Sequence, residues 1–366
     1  MAHPLFIERK AKILMTCDEV TKKIVTFAQK FSDSMEQSNP YIKQFPELMK
    51  GKRIMYVHGF GSSGQSGTVV RIREVLPSAI VVAPDLPIHP EEALNLLHET
   101  CEREQPDLII GTSMGGMFAE MLYGYDRILI NPAFGIADTM GEHGLTGKQQ
   151  FFSPRQDGVQ EFYVDKTLVK EYRNIAERNF AQADSKEEQA HVIGLFGDED
   201  PLVHTYDVFR EHYASAIRFH GEHRMNDQSF MHAVMPVIRW VDDRQEGRER
   251  PIIYIDIHAL KDNWGKPQSS AQKTVRTLLE RYQLYFTAEA PAEAQYYADI
   301  NAWLYQYINV PAYGHTIFTN QKPLLYGDYL IDTEKTEGMA TLIQAGSDTF
   351  KTWDDIAEYF SRLGGQ

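Results

Sequence analysis

A chain of 366 residues is too long for one ordinary core and predicts two domains. Its 43% hydrophobic content excludes disorder, and 51 Asp and Glu against 37 Lys and Arg give a formal charge of -14, a field that repels nucleic acid and anionic membrane. Only two cysteines occur, Cys17 and Cys101, in no metal or redox spacing, which excludes a disulfide framework and points to a reducing, cytoplasmic compartment.

Residues 1–50 read as a helical extension, because Val20, Ile24, Phe27 and Phe31 recur on one helical face. The first thirteen residues alternate charged and apolar side chains, so no signal peptide is expected, and no stretch approaches the roughly 18 apolar residues of a membrane span. A short apolar run over 53–57 then enters the glycine-rich loop His58-Gly59-Phe60-Gly61, which predicts a strand passing into a tight turn. A helix over 67–76, a strand over 79–84, a helix over 91–104 and strands over 106–110 and 127–132 follow. Short apolar strands alternating with helices indicate βαβ units and a mostly parallel sheet. Residues 133–190 break that rhythm and predict an insertion, a candidate lid, before strands at 192–196 and 216–219 and a helix at 230–241. The charged run 242–250 reads as a solvated linker. A domain boundary is placed there, giving one α/β domain over 51–245 and a second, smaller one over 251–366.

Gly111-Thr112-Ser113-Met114-Gly115 sits between an apolar strand and a helix, the setting of a nucleophile elbow. A serine hydroxyl attacks carbonyls only when a base takes its proton and a third group orients that base. In an elbow fold the acid follows the nucleophile and the histidine comes last. Asp200 fits the Gly-x-x-Asp-x-x-Val spacing after a strand, with Asp198 close enough to compete. His223 lies between the last strand and the last helix, with His220 and His232 as alternatives. The backbone N–H groups of Met114 and of Phe60 are the expected oxyanion donors, and His58 is read as shaping the loop. Phe151, Phe152, Phe162 and Tyr163 in the insertion either line an acyl pocket or pack the lid against the sheet.

Residues 53–242 resemble the small bacterial esterases of the YqiA/YcfP type within the α/β-hydrolase superfamily. The resemblance lies in Tyr56-Val57-His58-Gly59-Phe60, in Ser113-Met114-Gly115-Gly116, in Asn131-Pro132-Ala133 and in the segment 141–150. It implies a three-layer α/β sandwich that cleaves small carboxylic esters or acyl thioesters through an acyl-serine, without a cofactor. Residues 251–366 resemble haloacid-dehalogenase-like phosphatases of the 5′(3′)-deoxyribonucleotidase branch. That resemblance implies a nucleophile at Asp256, partners at Thr287 and Lys322, and acids at Asp328 and Asp332, with Mg²⁺ held by Asp256 and Asp332. His258 stands where the family has its second aspartate, and only 31 positions separate Asp256 from Thr287, too few for a large cap. The C-terminal site is therefore expected to be vestigial. The chain is expected to be a serine esterase or thioesterase. Alternatives are a bifunctional or mainly Mg²⁺-dependent phosphatase, and a non-catalytic protein that binds a ligand in the hydrolase pocket.

Overall fold

The computed structural model describes residues 42–363. The amphipathic helix expected around Val20 to Phe31 lies outside them; of the segment that is described, residues 46–50 form turns rather than a helix.

The first sheet contains β1 (Arg53–Val57), β2 (Ile80–Val82), β3 (Leu108–Thr112), β4 (Arg127–Ile130), β7 (Val192–Gly197) and β8 (Ala216–Phe219). Between β4 and β7 the chain inserts the antiparallel hairpin of β5 (Gly147–Gln150) and β6 (Glu161–Val164), flanked by helices. All six strands run parallel, in the order β2-β1-β3-β4-β7-β8. Their continuous apolar runs follow from burial on both faces. Met55, Val57, Ile109 and Leu129 join one core, while the alternating Ile54, Ile110 and Ile128 are buried on the other face.

A second parallel sheet contains β9 (Ile252–Asp256), β10 (Gln283–Ala288), β11 (Thr316–Phe318), β12 (Tyr329–Asp332) and β13 (Thr341–Gln344). Its order is β11-β10-β9-β12-β13. Ile253, Ile255, Phe286 and Ile331 form its core with Trp353, Ile356 and Phe360 of the helix Trp353–Leu363. The α/β fold class expected for both halves is thus present.

The charged run is largely solvated, with residues 244–249 exposed, but it begins as the end of a helix. The helix Met235–Glu246 continues through its first half, and Asp242 is buried between Lys52 and Arg248, at 2.7 and 3.1 Å. Asp243 binds Arg250, whose guanidinium also donates to the Glu280 carbonyl at 2.6 Å. Arg239 donates to the Leu279 carbonyl at 2.8 Å, and Trp240 stacks on His315. Acidic and basic side chains of the run interleave and pair, with Asp242 buried while residues 244–249 are exposed.

Candidate active site

β3 ends at Thr112, and Ser113 stands alone between it and the helix Met114–Glu120. Ser113 holds φ 56° and ψ -120°, a backbone conformation that costs an L-residue free energy and persists only where its surroundings enforce it. The enforcing contacts are visible in the glycines. A Cβ on Gly111 would lie 2.3 Å from the Gly115 carbonyl oxygen, and one on Gly115 would lie 2.0 Å from that of Val57. Neither position tolerates a side chain, which is the physical content of the glycine spacing.

The turn leaves Ser113 half-buried, with Oγ 3.0 Å from His223 Nε2. His223 Nδ1 lies 2.7 Å from Asp200 Oδ2, and Asp200 is buried. Its other oxygen accepts the N–H groups of Leu202 and Val203, at 2.8 and 3.0 Å, so the carboxylate cannot turn away. With Nδ1 protonated towards that carboxylate, Nε2 is left to accept the serine proton.

The competing residues lie elsewhere. Asp198 approaches His220, at 3.4 Å, and accepts the Gly221 N–H at 3.0 Å. His232 sits in a π-helical turn, Phe230–Val234, where burial and the nearby Arg276 lower its pKa to about 4.

The loop after β1 packs directly on the serine: a Cβ on Gly59 would touch Ser113 Cβ at 3.3 Å. His58 fixes that loop from below. Its Nδ1 donates to the Gly59 carbonyl at 2.9 Å, and its Nε2 accepts the Leu86 N–H at 3.1 Å. Burial pushes the imidazole down to about 4, so it stays neutral and keeps its acceptor nitrogen. Phe60 follows in this loop, and Met114 opens the helix, where its N–H precedes any intrahelical partner. These are the two positions expected to supply oxyanion donors.

The insertion is strapped over the same loop. Phe152 donates to the Gly61 carbonyl at 2.8 Å and Ser63 Oγ to that of Pro154 at 2.6 Å. Asp85 bridges the two segments by accepting the N–H groups of Gly64 and Gln156, each at 2.7 Å. Phe162 meets Phe60 edge-on at 5.2 Å and packs on Phe151, whereas Phe152 and Tyr163 are exposed. The four aromatics therefore divide: two pack above Phe60 and two face outward.

Sequence reasoning missed Asn131 as a working residue. It closes β4 at φ 45°, and its side chain joins three loops. Oδ1 accepts the Gly197 N–H at 2.7 Å, while Nδ2 donates to the carbonyls of Glu222 and His223 at 3.1 and 3.2 Å. The available signal was an asparagine directly after a buried strand, a residue that tolerates left-handed backbone.

In the second sheet, Asp256, Thr287 and Asp332 come together at the strand ends, all buried. Lys322 Nζ lies 2.8 Å from both Asp256 Oδ2 and Asp332 Oδ2. Thr287 donates to Asp256 Oδ2 at 3.1 Å, and the His258 N–H to Oδ1 at 3.0 Å. Burial would lower the lysine's pKa, but the two carboxylates outweigh it and hold the ammonium above its ordinary value. Lys322 takes Oδ2 of each carboxylate, while Asp256 Oδ1 accepts the His258 N–H and Asp332 Oδ1 accepts the Glu334 N–H at 3.2 Å. Among the described residues no group of three or more His, Cys, Asp or Glu could hold a metal. Asp256 and Asp332 are thus joined by Lys322. Two expectations change. His258 contributes its backbone N–H while its side chain is exposed, and Asp328 lies at the opposite end of β12, accepting the Ile252 N–H at 2.7 Å.

Comparison with known proteins now bears on this geometry. Residues 53–230 match the model of the uncharacterised protein family UPF0227. The resemblance of this segment to the YqiA/YcfP-type proteins is thereby borne out. The UPF0227 segment holds Ser113, Asp200 and His223 and ends inside the π-helical turn. A protein of Vibrio phage KVP40, described as a 5′(3′)-deoxyribonucleotidase, is 27% identical over 129 residues, which are 33% of this chain and 71% of the phage protein. It fits the C-terminal segment. Similar solved structures include Est1E from Butyrivibrio proteoclasticus, at 18% identity and TM-score 0.39 over 56% of this chain and 92% of that one. A hydrolase from Pseudomonas aeruginosa PA01 shows 10% identity and TM-score 0.36 over 56% of this chain and 92% of that one. No helix among the described residues is long and apolar enough to cross a membrane.

Proposed function

We propose that residues 53–242 form a serine hydrolase that cleaves carboxylic esters or acyl thioesters of small molecules through an acyl-serine intermediate. The observation that carries this reading is the unbroken relay from Asp200 through His223 to Ser113, at 2.7 and 3.0 Å, on a strained elbow. His223 Nε2 takes the Ser113 proton as Oγ attacks the acyl carbonyl. The N–H groups of Met114 and Phe60 receive the negative oxygen that develops. Collapse breaks the bond to the alcohol or thiol, which leaves with the proton from His223. Water then attacks the acyl-serine by the same route, restoring Ser113 and releasing the acid. Asp200 stays ionised throughout and holds the imidazole in its working tautomer. The cycle uses no cofactor.

Incubation with a fluorophosphonate probe, followed by mass-spectrometric mapping, tests the reading. Labelling is expected at Ser113 and is absent in Ser113→Ala, whose ester hydrolysis falls by roughly 10⁴-fold or more. A folded protein that takes no label sinks it.

A second reading, phosphomonoester hydrolysis by Asp256, draws on the phage relative and on the place of Asp256 at the end of β9. The outward His258 weighs against it, and the C-terminal unit is better read as a vestigial, structural domain. Mg²⁺-dependent phosphate release that disappears in Asp256→Asn would reverse that order.

A further inference from the structure

Asp198 follows β7 directly and has both carboxylate oxygens engaged. Oδ1 accepts the Gly221 N–H at 3.0 Å, and Oδ2 accepts the Tyr305 hydroxyl at 2.6 Å. Gly221 precedes His223 by two residues, just as Asp198 precedes Asp200. The carboxylate therefore clamps the loop that carries the acid to the loop that carries the base. Backbone bonds repeat the clamp: the Asp198 N–H reaches the Phe219 carbonyl and the Glu199 N–H that of Gly221, each at 3.0 Å.

Tyr305 comes from far away, on the helix Ala294–Tyr307 beyond the charged run. That helix is anchored in the second core by Ile300 and Leu304, so the second sheet sets the position of the phenol. A phenol donating to a carboxylate at this distance makes a strong, charge-assisted bond. Burial works to raise the Asp198 pKa, but the bonds from Tyr305 and Gly221 outweigh it and hold it below the usual carboxylate range. Burial and the carboxylate together push the phenol's pKa well up, so it remains a donor across any working pH. Oδ2 also lies 3.4 Å from Nδ1 of the exposed His220, so without the hydroxyl that longer contact is its remaining side-chain partner.

We propose that Tyr305 is a positioning residue of the hydrolase site: through Asp198 it holds the loop that aims His223 at Ser113. The inference rests on the hydrolase reading above, and it makes the second sheet a working part of the first sheet's site.

The test is fluorophosphonate inactivation kinetics on the full chain, resolved into kinact and KI. Tyr305→Phe is expected to lower kinact about tenfold, because slight misalignment of the base slows the bond-forming step, with KI within about twofold. Tyr313→Phe is the control. It removes another hydroxyl bond between the two halves of the chain, to the Ala214 carbonyl at 3.0 Å, and is expected to keep the parent kinact. Asp198→Ala is expected to lose at least as much as Tyr305→Phe, and the double variant no more than Asp198→Ala, because both act through one contact. Parent-like kinact in Tyr305→Phe overturns the proposal. So does an equal loss in Tyr313→Phe, or additive losses in the double variant. A parent protein left unlabelled at Ser113 overturns the hydrolase reading itself, and is seen before any variant is compared.

Discussion

The two sheets put polar clusters in equivalent places and leave them in opposite states. In each, the chain leaves the first strand to one side and later returns to the other, opening a crevice at the carboxyl ends of two neighbouring strands. Ser113 and the His58–Gly61 loop occupy that crevice between β1 and β3, and Asp256 and Asp332 occupy it between β9 and β12. At the first site the elbow is strained and the serine oxygen's hydrogen-bond partner is one imidazole nitrogen. At the second, Asp256 receives Lys322, Thr287 and the His258 N–H, while Asp332 receives Lys322, Thr336 and the Glu334 N–H. A crevice at a switch point is thus a place where chemistry can be built. Reactivity depends on whether the side chains there keep a lone pair or a proton unspent.

The largest expected effect breaks the first site without touching its shape. Asp200→Asn keeps the volume but turns the imidazole towards the wrong tautomer, so Nε2 no longer accepts the serine proton. Ester turnover, or the rate of fluorophosphonate labelling, is expected to fall by roughly 10⁴-fold. A loss below about tenfold would mean that Asp200 only anchors its loop, through Leu202 and Val203. Asp256→Asn, the equivalent change at the second site, is expected to leave labelling at Ser113 unaltered.

The second prediction asks whether the C-terminal cluster is a structural pair. Lys322→Met removes the cation and leaves two buried carboxylates facing each other, a loss of about 3–5 kcal/mol at neutral pH. The sign with pH is distinctive. Like charges in a buried site raise the carboxyl pKa in the folded state, so the variant should regain stability as pH falls and the pair takes up a proton. Denaturant titrations at pH 7 and pH 5 check this. A cost under about 1 kcal/mol at pH 7 would argue that the lysine stands there for a ligand and not for the fold.

How much of this was legible in the sequence depended on the range of the interaction involved. The strands read as apolar runs because each residue of Ile54–Val57 is buried whatever its partner. The elbow was readable in part because one of its glycines answers a contact within a few residues, Gly111 against Gly115, although Gly115 itself packs on the distant Val57 carbonyl. Pairing between distant polar groups leaves no such trace. Asp198 and Tyr305 lie 107 positions apart, and nothing in either segment announces the other. Within the charged run one residue escaped for the same reason: Asp242 is neutralised by Lys52, 190 positions earlier, and is buried while residues 244–249 stay exposed. Asp328 and Asp332 illustrate the converse, because one just precedes β12 and the other ends it, so four residues put them at opposite ends of the strand. The alternation of Phe162 and Tyr163 did hold the answer to the insertion's aromatics, since in a hairpin successive side chains face opposite sides.

The smallest effect sharpens the contrast through His58, the group that supports the first site from beneath. Its pKa is about 4 in the folded protein and near 6.5 when exposed, so between those values the unfolded chain binds a proton that the folded chain refuses. Stability is complete above pH 6.5 and declines as the pH falls towards 4, by about 3 kcal/mol in all for this one group. Burial lowers His232 to about 4 and lowers His315 too, so the parent protein should lose stability with a slope of more than one proton in that window. His58→Gln should reduce that slope, which denaturation midpoints at pH 7, 6 and 5 would show. An unchanged slope would assign the acid sensitivity to other groups. Activity adds a separate measure. A protonated His58 cannot accept the Leu86 N–H, so the loop bearing Phe60 should loosen, and labelling of Ser113 should weaken with acid less in His58→Gln than in the parent. The second sheet's cluster, held by Lys322, has no such neutral support and should pass through the same window intact.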